Sequence, residues 1–330
     1  MQKVQHIIGT DLSKKTIDLF YHLKETHLKI DNNLQGFKTL LKWISQQQIN
    51  PFELIIVMEH TGLYSFCFEE FLHRHQISFT KVSALTIKHS IGLVRGKSDK
   101  IDASRIAAYG YEKKDKLSAE PPTSKELQRL QLLYATRERL VKQKVGLINA
   151  VKEYRNIGLL QNDPVLQCQQ RLIKNYEKEI AKLEAQLDNV FKSNPSLQKN
   201  HLLLQSIKGV GKVLATATII KTRNFTRFTN ARKFSCFCGT APFEHTSGTS
   251  IKGRTRVSHL ADKQMKTLLD LSAKTAIQHD KELREYYLTR TQTGKPKMST
   301  INVVRNKILY RMFAVIKRQT PFIENYLQAA

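Results

Sequence analysis

Residues 6–12 read HIIGTDL and residues 52–60 read FELIIVMEH, and these two stretches decide the fold of the first part of the chain. Each is a short run of branched apolar residues that leads to an acidic residue, Asp11 in the first and Glu59 in the second. Apolar runs of this length are typical of strands that are buried on both faces of a sheet. We therefore expect both carboxylates to leave a buried sheet at the same rim.

Helical patterns alternate with these strands. Residues 33–47 carry apolar side chains at helical spacing, and residues 62–75 do the same, while residues 77–84 (ISFTKVSA) are typical of another strand. The remainder up to Lys116 is predicted to be helical. Strands that alternate with helices in this way indicate an α/β domain, with a mixed sheet and helices on its faces.

Two further acids follow in KSDKIDASRIA, at Asp99 and Asp102. They are three residues apart in a predicted helix, so they share one face. If that face lies at the rim of the sheet, four carboxylates converge there, which suits two Mg²⁺ or Mn²⁺ ions about 4 Å apart. Taken singly, each acid has an ordinary alternative: Asp11 could cap a turn, Glu59 could pair with a lysine, and Asp99 could be a helix N-cap.

The charge is strongly positive and unevenly distributed. The chain of 330 residues has 54 Lys+Arg and 28 Asp+Glu, a net charge of +26. Residues 1–120 hold 17 basic and 13 acidic residues, whereas residues 121–330 hold 37 and 15. This balance indicates a nucleic-acid partner that is bound mainly by the second part. The sequence shows no signal peptide or membrane span, and the four cysteines lack the usual zinc spacing, so we expect a cytoplasmic, nucleoid-associated protein without a membrane partner.

A breaker cluster, SAEPPTS at residues 118–124, marks the best domain boundary. Beyond it, two long helical patterns are separated by NIGLLQNDP, which predicts an antiparallel helical hairpin or coiled coil over residues 121–200. Its apolar stripes could serve internal packing or self-association. Residues 201–330 are predicted to form a mainly helical, basic domain.

A glycine turn stands near the start of that domain. Gly209 and Gly211 lie between two apolar helical patterns, which resembles a helix-hairpin-helix segment. Such a turn brings backbone N–H groups close to a phosphate, and Lys208 and Lys212 flank it. We expect these four residues to contact nucleic acid, although a Gly-x-Gly can also be a plain tight turn. The last helical pattern, residues 300–318, is predicted to turn basic side chains outward, among them Arg305 and Arg311.

Several of these segments together resemble the insertion-sequence-110 family of DEDD-type transposases. The similar segments are GTDLSKKTIDL, MEHTGLYS, KSDKIDASRIA and the long stretch IKGVGKVLATATIIKTRNFTRFTNARKFSCFCGTAPFEHTSGTS. They follow the family order and together span nearly the whole chain.

The resemblance implies a RuvC-like, RNase H-type fold for residues 1–120, and it makes Asp11, Glu59, Asp99 and Asp102 the metal-binding acids. It implies that Ser247 is a nucleophile that forms a covalent phosphoserine link to DNA. It also implies a noncoding bridge RNA that pairs with donor and target DNA, and a homo-oligomer in which dimers assemble into a tetramer.

The segment around the serine leaves alternatives open. Thr249 and Ser250 are close enough to compete for the role of nucleophile, and a serine hydroxyl needs a base or a metal to react. Lys252, Arg254 and Arg256 follow at alternate positions, and we expect them to contact nucleic-acid phosphates.

The function predicted from these features is that of a Mg²⁺-dependent transposase that excises and inserts a mobile DNA element through a serine–DNA intermediate. The main alternative is a RuvC-like junction nuclease, in which metal-activated water attacks and Ser247 is idle. A binding or structural protein, whose acids merely pair with lysines, is the non-enzymatic alternative.

Overall fold

The computed structural model describes residues 4–60, 62–90, 98–247 and 251–323; for residues 245, 247, 251, 252 and 254 it describes the backbone alone. The chain separates into two compact units, Met1–Gln128 and Arg129–Ala330. The further division of the second unit at residue 200 stays a prediction.

The N-terminal unit is built on one five-stranded mixed sheet. Its strands and helices are β1 (His6–Leu12), β2 (Thr16–Tyr21), β3 (Thr26–Asp31), α1 (Leu34–Gln46), β4 (Leu54–Glu59), α2 (Phe66–Arg74), β5 (Ser78–Val82), α3 (Ala84–Ser90) and α4 (Asp99–Glu112). The strand order is β3-β2-β1-β4-β5, in which β1, β2 and β3 are antiparallel neighbours while β4 and β5 run parallel to β1. This confirms the mixed sheet predicted from the sequence.

Alternation along the strands supplies a core on each face of this sheet. Ile8, Ile56 and Met58 belong to the cluster that includes residues of α1 and α2. Ile7 and Val57, one residue away in each strand, belong to the second cluster, with residues of α3 and α4. Because both faces are covered at β1 and β4, these two strands carry the continuous apolar runs from which they were predicted.

The second unit is mostly helical. Its elements are α5 (Lys125–Asn156), which begins in the first unit, α6 (Pro164–Ser193), α7 (Pro195–Gln205), α8 (Lys212–Thr222), α9 (Ala231–Phe237), β6 (Pro242–Ser247), β7 (Ile251–Val257), α10 (Lys263–His279), α11 (Lys281–Gln292) and α12 (Lys297–Arg318). No helix among the described residues is long and apolar enough to cross a membrane.

Helices α5 and α6 form the expected antiparallel hairpin. The Arg137 guanidinium lies 2.8 Å from a Glu184 carboxylate oxygen, and further along the hairpin the Lys144 ammonium lies 3.5 Å from Glu177. The residue numbers on α6 fall as those on α5 rise, so the two helices are antiparallel. Asp163 caps the second helix by accepting a hydrogen bond from the Val165 N–H, and Pro164 stands at its first position.

One element of the second unit was not anticipated. Strands β6 and β7 pair with each other in antiparallel fashion, with an irregularity in register between Phe243 and His245. The sequence pattern predicted a mainly helical domain there. Threonine and serine residues around a glycine are typical of loops, and that composition masked the strands.

Candidate functional site

Two neighbouring parallel strands bring the first two acids to one rim of the sheet. Asp11 is the penultimate residue of β1, and Glu59 is the last residue of β4. The strands run side by side in parallel, with Thr10 opposite Met58. The carboxyl ends of parallel strands meet at the same edge, so both acids lie where the sequence placed them.

Helix α4 begins with the other two acids. Ser98 caps it by accepting a hydrogen bond from the Ile101 N–H at 3.3 Å, so Asp99 and Asp102 both lie in the first turn. Acidic side chains are favourable there, because the N-terminal end of a helix carries a partial positive charge. The cap is therefore Ser98, and the alternative that Asp99 merely caps the helix is wrong.

A glycine in β1 allows α4 to approach the sheet closely. A Cβ atom on Gly9 would lie 2.2 Å from the Ala107 backbone nitrogen and 2.3 Å from the Ala103 carbonyl oxygen. Only a residue without a side chain fits at that distance. Gly9 is two residues before Asp11, on the same face of the strand, and Ala103 directly follows Asp102. The close contact therefore fixes the first turn of α4 beside the rim.

The electrostatics agree with this geometry. Burial, followed by the negative charges of Asp99, Asp102, Glu59 and Asp18, raises the pKa of Asp11 from 3.8 to about 6. Burial and the charge of Asp102 also raise the pKa of Glu59. Like charges that are held together favour protonation, so the electrostatic potential at Asp11 and Glu59 is negative.

Carboxylate oxygens are the donors that hard divalent cations prefer, and the rim offers four carboxylates. Among the described residues, no three His, Cys, Asp or Glu side chains already converge closely enough to hold an ion. Asp102 instead pairs with Arg105 at 2.9 Å, and Asp99 lies 3.9 Å from the Lys29 ammonium. The donor set fits a divalent cation in its chemistry, and these side chains would reorient to hold one.

Two residues beside this cluster were not predicted from the sequence. Asp18 of β2 lies directly opposite Asp11 in the strand register, and Lys29 of β3 lies opposite Asp18. The alternation of TIDLFY separates Asp18 from the core residues Ile17 and Leu19 and therefore predicts an exposed acid, whereas Asp18 is buried. Recognising it required the pairing of β1 with β2, which a single sequence does not reveal.

The candidate serine lies in the second unit. Ser247 is the last residue of β6, and its backbone pairs with Ile251 of β7. Its side chain lies outside the described part of the structure, as do the alternatives Thr249 and Ser250. Lys252, Arg254 and Arg256 occupy alternate positions of β7, and Arg256 is exposed.

The base of this β-hairpin is anchored to α12. The Thr240 carbonyl oxygen accepts hydrogen bonds from the side-chain amides of Asn302 and Asn306, at 2.8 and 2.7 Å. The Arg232 guanidinium donates to the Pro242 carbonyl oxygen at 3.0 Å. These contacts fix the position at which the serine-bearing strand begins.

The glycine turn has the predicted form. Gly209, between α7 and α8, has φ +89°, and a Cβ there would lie 2.6 Å from the Ser272 carbonyl oxygen. Gly211 is the N-cap of α8 and supplies no side-chain cap. Lys208 and Lys212 are both exposed, and Lys212 pairs with Asp188 at 3.1 Å. The turn thus presents two basic side chains and a helix N-terminus, the arrangement expected for phosphate contact.

Comparison with known proteins gives a consistent result over both units. Residues 8–154 match the family model DEDD_Tnp_IS110, described as a transposase, and residues 201–288 match the model of the Transposase IS116/IS110/IS902 family. The first match begins just before Asp11 and includes all four acids, and the second includes the glycine turn and the β-hairpin. The chain belongs to the IS110 family of transposases.

Individual relatives agree with this assignment. The pilin gene-inverting proteins of Moraxella bovis and Moraxella lacunata are each 27% identical to it in an alignment that is 330 residues long. The alignment covers 96% of this chain and 97% of theirs. The transposase for insertion sequence element IS1111A of Coxiella burnetii is 28% identical over 182 residues, 47% of this chain and 49% of the relative. As a member of this transposase family, the protein is a DNA-recombining enzyme that binds DNA, and the DEDD family implies use of a divalent metal.

One expectation for the basic surface of this transposase is wrong. Arg305 does not point outward from α12; it is buried and forms an ion pair with Asp270. The Arg311 side chain is also mostly covered, with Asp280 at 2.6 Å and Glu282 at 2.6 Å. Both arginines hold α12 against α10 and α11, because a buried guanidinium needs a carboxylate partner, and they are therefore not available to DNA.

Proposed function

We propose that this transposase excises and inserts a mobile DNA element by Mg²⁺-dependent phosphoryl transfer, with Ser247 as nucleophile. The observation that carries the proposal is the gathering of Asp11, Glu59, Asp99 and Asp102 at one rim, where the pKa of Asp11 is raised to about 6. A cluster of carboxylates that repel one another is costly to a fold unless a cation binds it.

A RuvC-like, RNase H-type fold is part of this proposal. The strand order β3-β2-β1-β4-β5, with three antiparallel strands followed by two parallel ones, supports it. So does the position of the acids, with one on the first strand, one on the fourth and two on a helix that packs on the first strand. Mg²⁺ bound there would act as a Lewis acid and stabilise charge on the scissile phosphate, and Mn²⁺ could replace it.

The residues of the chain would divide the remaining work. The four acids would hold the cation, and the exposed basic residues of the second unit would bind the phosphodiester backbone. The Ser247 Oγ would attack phosphorus and form a Ser–O–P bond while a P–O bond of the DNA breaks. The serine proton passes to solvent and the departing DNA oxygen ends as a hydroxyl. Attack by a DNA hydroxyl on the phosphoserine reverses these steps and rejoins the strand.

The names of the full-length relatives favour site-specific recombination over simple cleavage. The Moraxella proteins are called gene-inverting, and inversion requires that broken strands be rejoined. A covalent protein–DNA link preserves the energy of the broken bond for that step. The proposal has three further parts. The protein recognises both DNA sites through a bridge RNA, it acts as a tetramer built from dimers, and it is associated with the bacterial nucleoid.

The experiment that tests it is a cleavage reaction on DNA carrying the element's junction, with its noncoding RNA and Mg²⁺, resolved on a denaturing protein gel. We expect the native chain and Ser250→Ala to form a covalent protein–DNA adduct, and Ser247→Ala and Asp11→Asn to form none. Omission of the RNA should abolish the reaction.

Each other outcome has a definite meaning. An adduct that survives Ser247→Ala but disappears in Ser250→Ala would move the nucleophile to Ser250. Cleavage by Ser247→Ala without any adduct would show a nuclease that uses metal-activated water, the alternative function for the same acids. Unchanged cleavage by Asp11→Asn would refute the metal site itself.

A further inference from the structure

Three charged residues form a row across the sheet beside the acidic rim. Asp11 of β1 is paired in register with Asp18 of β2, which is paired in turn with Lys29 of β3. Residues opposite one another in a sheet project from the same face. That face is the one covered by α4, because Gly9, two residues before Asp11, is in contact with this helix.

The second member of the row is a compensated acid. Asp18 is only 3% exposed. One of its carboxylate oxygens lies 2.8 Å from His27 Nε2, and the other lies 3.3 Å from the Lys29 ammonium. Asp18 is thus a buried carboxylate with two partners of its own, so it is not a further ligand for the cation.

The Lys29 ammonium has a second carboxylate within reach. It lies 3.9 Å from Asp99 Oδ2, in the first turn of α4. The Lys29 ammonium therefore lies between a buried acid of the sheet and one of the four acids at the rim. The side chains of Lys29 and Asp99 are 51% and 64% exposed, so the contact between them contributes little to folding stability.

Its importance lies in the competition for Asp99. A divalent cation bound by the rim acids would stand within a few ångströms of this ammonium, and two positive charges at that separation repel each other strongly even in a partly aqueous setting. Binding of the cation would therefore require Lys29 to withdraw from Asp99. The flexible lysine stem allows this, and the contact with Asp18 gives the ammonium an alternative place.

We propose that Lys29, held by Asp18, competes with the divalent cation for Asp99 and thereby sets the affinity of the acidic cluster for metal. Lys29 is a tuning residue that touches no reacting atom, and the inference rests on the proposed function of the cluster. In this arrangement the cluster binds metal more weakly than four carboxylates alone would. The affinity then rises when the phosphate of the substrate adds its own ligands.

The test is a titration of the purified full-length protein with Mn²⁺, in which the free ion is followed by electron paramagnetic resonance. Lys29→Met removes the charge but keeps most of the stem, and we expect it to lower the Kd for Mn²⁺ by about three- to tenfold. Lys29→Arg retains the charge and should restore the native Kd to within about twofold.

Lys24→Met is the matched control. Lys24 lies in the turn between β2 and β3 and donates to the Gln47 carbonyl oxygen at 2.8 Å, so its removal changes the net charge equally without touching the row. We expect no change in Kd for this variant. Lys29→Gln, a polar substitute, provides a second measurement in case Lys29→Met fails to fold, which a thermal unfolding curve will show.

The outcomes separate this inference from the proposed function. If the native chain binds Mn²⁺ and Asp11→Asn does not, but Lys29→Met binds with the native or a weaker affinity, Lys29 does not compete for Asp99 and the inference is wrong. If Lys24→Met tightens binding as much as Lys29→Met, the effect is one of net charge and the inference is also wrong. If the native chain binds no Mn²⁺, both the inference and the metal site are refuted.

Discussion

Asp11 and Glu69 are both acidic residues of the N-terminal unit, Asp11 in a strand of its sheet and Glu69 in a helix packed on it, and their surroundings are opposite. Glu69 of α2 is fully buried, and its carboxylate accepts hydrogen bonds from Ser65 at 2.6 Å and from the Thr123 N–H at 3.1 Å, and pairs with the Lys81 ammonium at 2.5 Å. Asp11 has other carboxylates for neighbours. The fold balances the charge of Glu69, whereas the neighbours of Asp11 add to its negative charge.

The pKa values show the same contrast. Burial alone would raise the pKa of Glu69, but the charge of Lys81 and hydrogen bonds to the carboxylate lower it. Burial and neighbouring acids raise the pKa of Asp11. The same fold compensates the buried carboxylate of Glu69 completely and leaves that of Asp11 uncompensated. An uncompensated carboxylate is the expected property of a site that binds a cation.

The compensated region also has a mechanical role. Thr123 belongs to the segment that follows the N-terminal sheet, and Glu69 holds both its N–H and its hydroxyl. Nearby, the Glu120 N–H donates to the Phe79 carbonyl oxygen at 2.8 Å. The predicted breaker cluster at residues 118–124 is therefore fastened along β5 rather than being a loose linker.

The largest effect is expected from breaking the compensated pair. Glu69→Leu deprives a buried lysine of its carboxylate, and we expect it to lower the free energy of unfolding by about 3–5 kcal/mol. Urea unfolding of the native chain and the variant measures the loss. The double variant Glu69→Leu/Lys81→Met should recover most of it, and a loss below about 1 kcal/mol in the single variant would contradict the assignment.

The uncompensated acid should respond in the opposite direction. Asp11→Asn removes a charge that its neighbours repel, and we expect the free energy of unfolding to rise by about 1–2 kcal/mol at neutral pH; the partial exposure of the site keeps the gain below what the pKa shift alone implies. DNA cleavage should be lost in the same variant. A variant that is both inactive and less stable than the native chain would show that Asp11 serves the fold.

The pH dependence should separate the two regions in sign. The pKa of Asp11 is higher in the folded chain, about 6 against 3.8, so its protonated form stabilises the fold at low pH and this contribution is lost as pH rises through about 6. Glu69 has a lowered pKa, so its contribution is present above its unfolded pKa and is lost as pH falls.

The measurement is urea unfolding of the native chain and Asp11→Asn at about pH 4 and about pH 7.5. The difference between the two proteins should be small at the lower pH, because Asp11 is then largely protonated in the folded chain, and should grow to its full size at the higher one. Saturating Mg²⁺ should stabilise only the native chain at the higher pH. A difference that does not vary with pH would show that the asparagine acts through packing.

The sequence allowed much of the acidic rim to be predicted. The apolar runs before Asp11 and Glu59 identified two buried strands, and the spacing of Asp99 and Asp102 placed both on one turn of a helix. These signals are local, because they depend on residues that are close together in the chain.

What escaped prediction depends on partners that are distant in sequence. Glu69 in the pattern of α2 looks like an ordinary surface acid, because its partners Lys81 and Thr123 follow 12 and 54 residues later. Arg305 was expected on the surface for the same reason, since its partner Asp270 lies on another helix. The row of Asp18 and Lys29 needed the register of three strands.

The smallest effect is expected at the residue beside Glu69. Glu70 pairs with Arg74 one helical turn away, and both side chains are open to water, 39% and 70% exposed. Glu70→Gln should therefore change the free energy of unfolding by no more than about 0.5 kcal/mol, as is usual for exposed pairs at this spacing. Glu69 and Glu70 are neighbours in one helix, but the side chain of Glu69 is buried and that of Glu70 is exposed. Comparing the urea unfolding curves of Glu69→Leu and Glu70→Gln therefore shows the effect of burial. Equal losses in the two variants would show that the stability of α2, rather than the buried ion pair, is what Glu69→Leu disturbs.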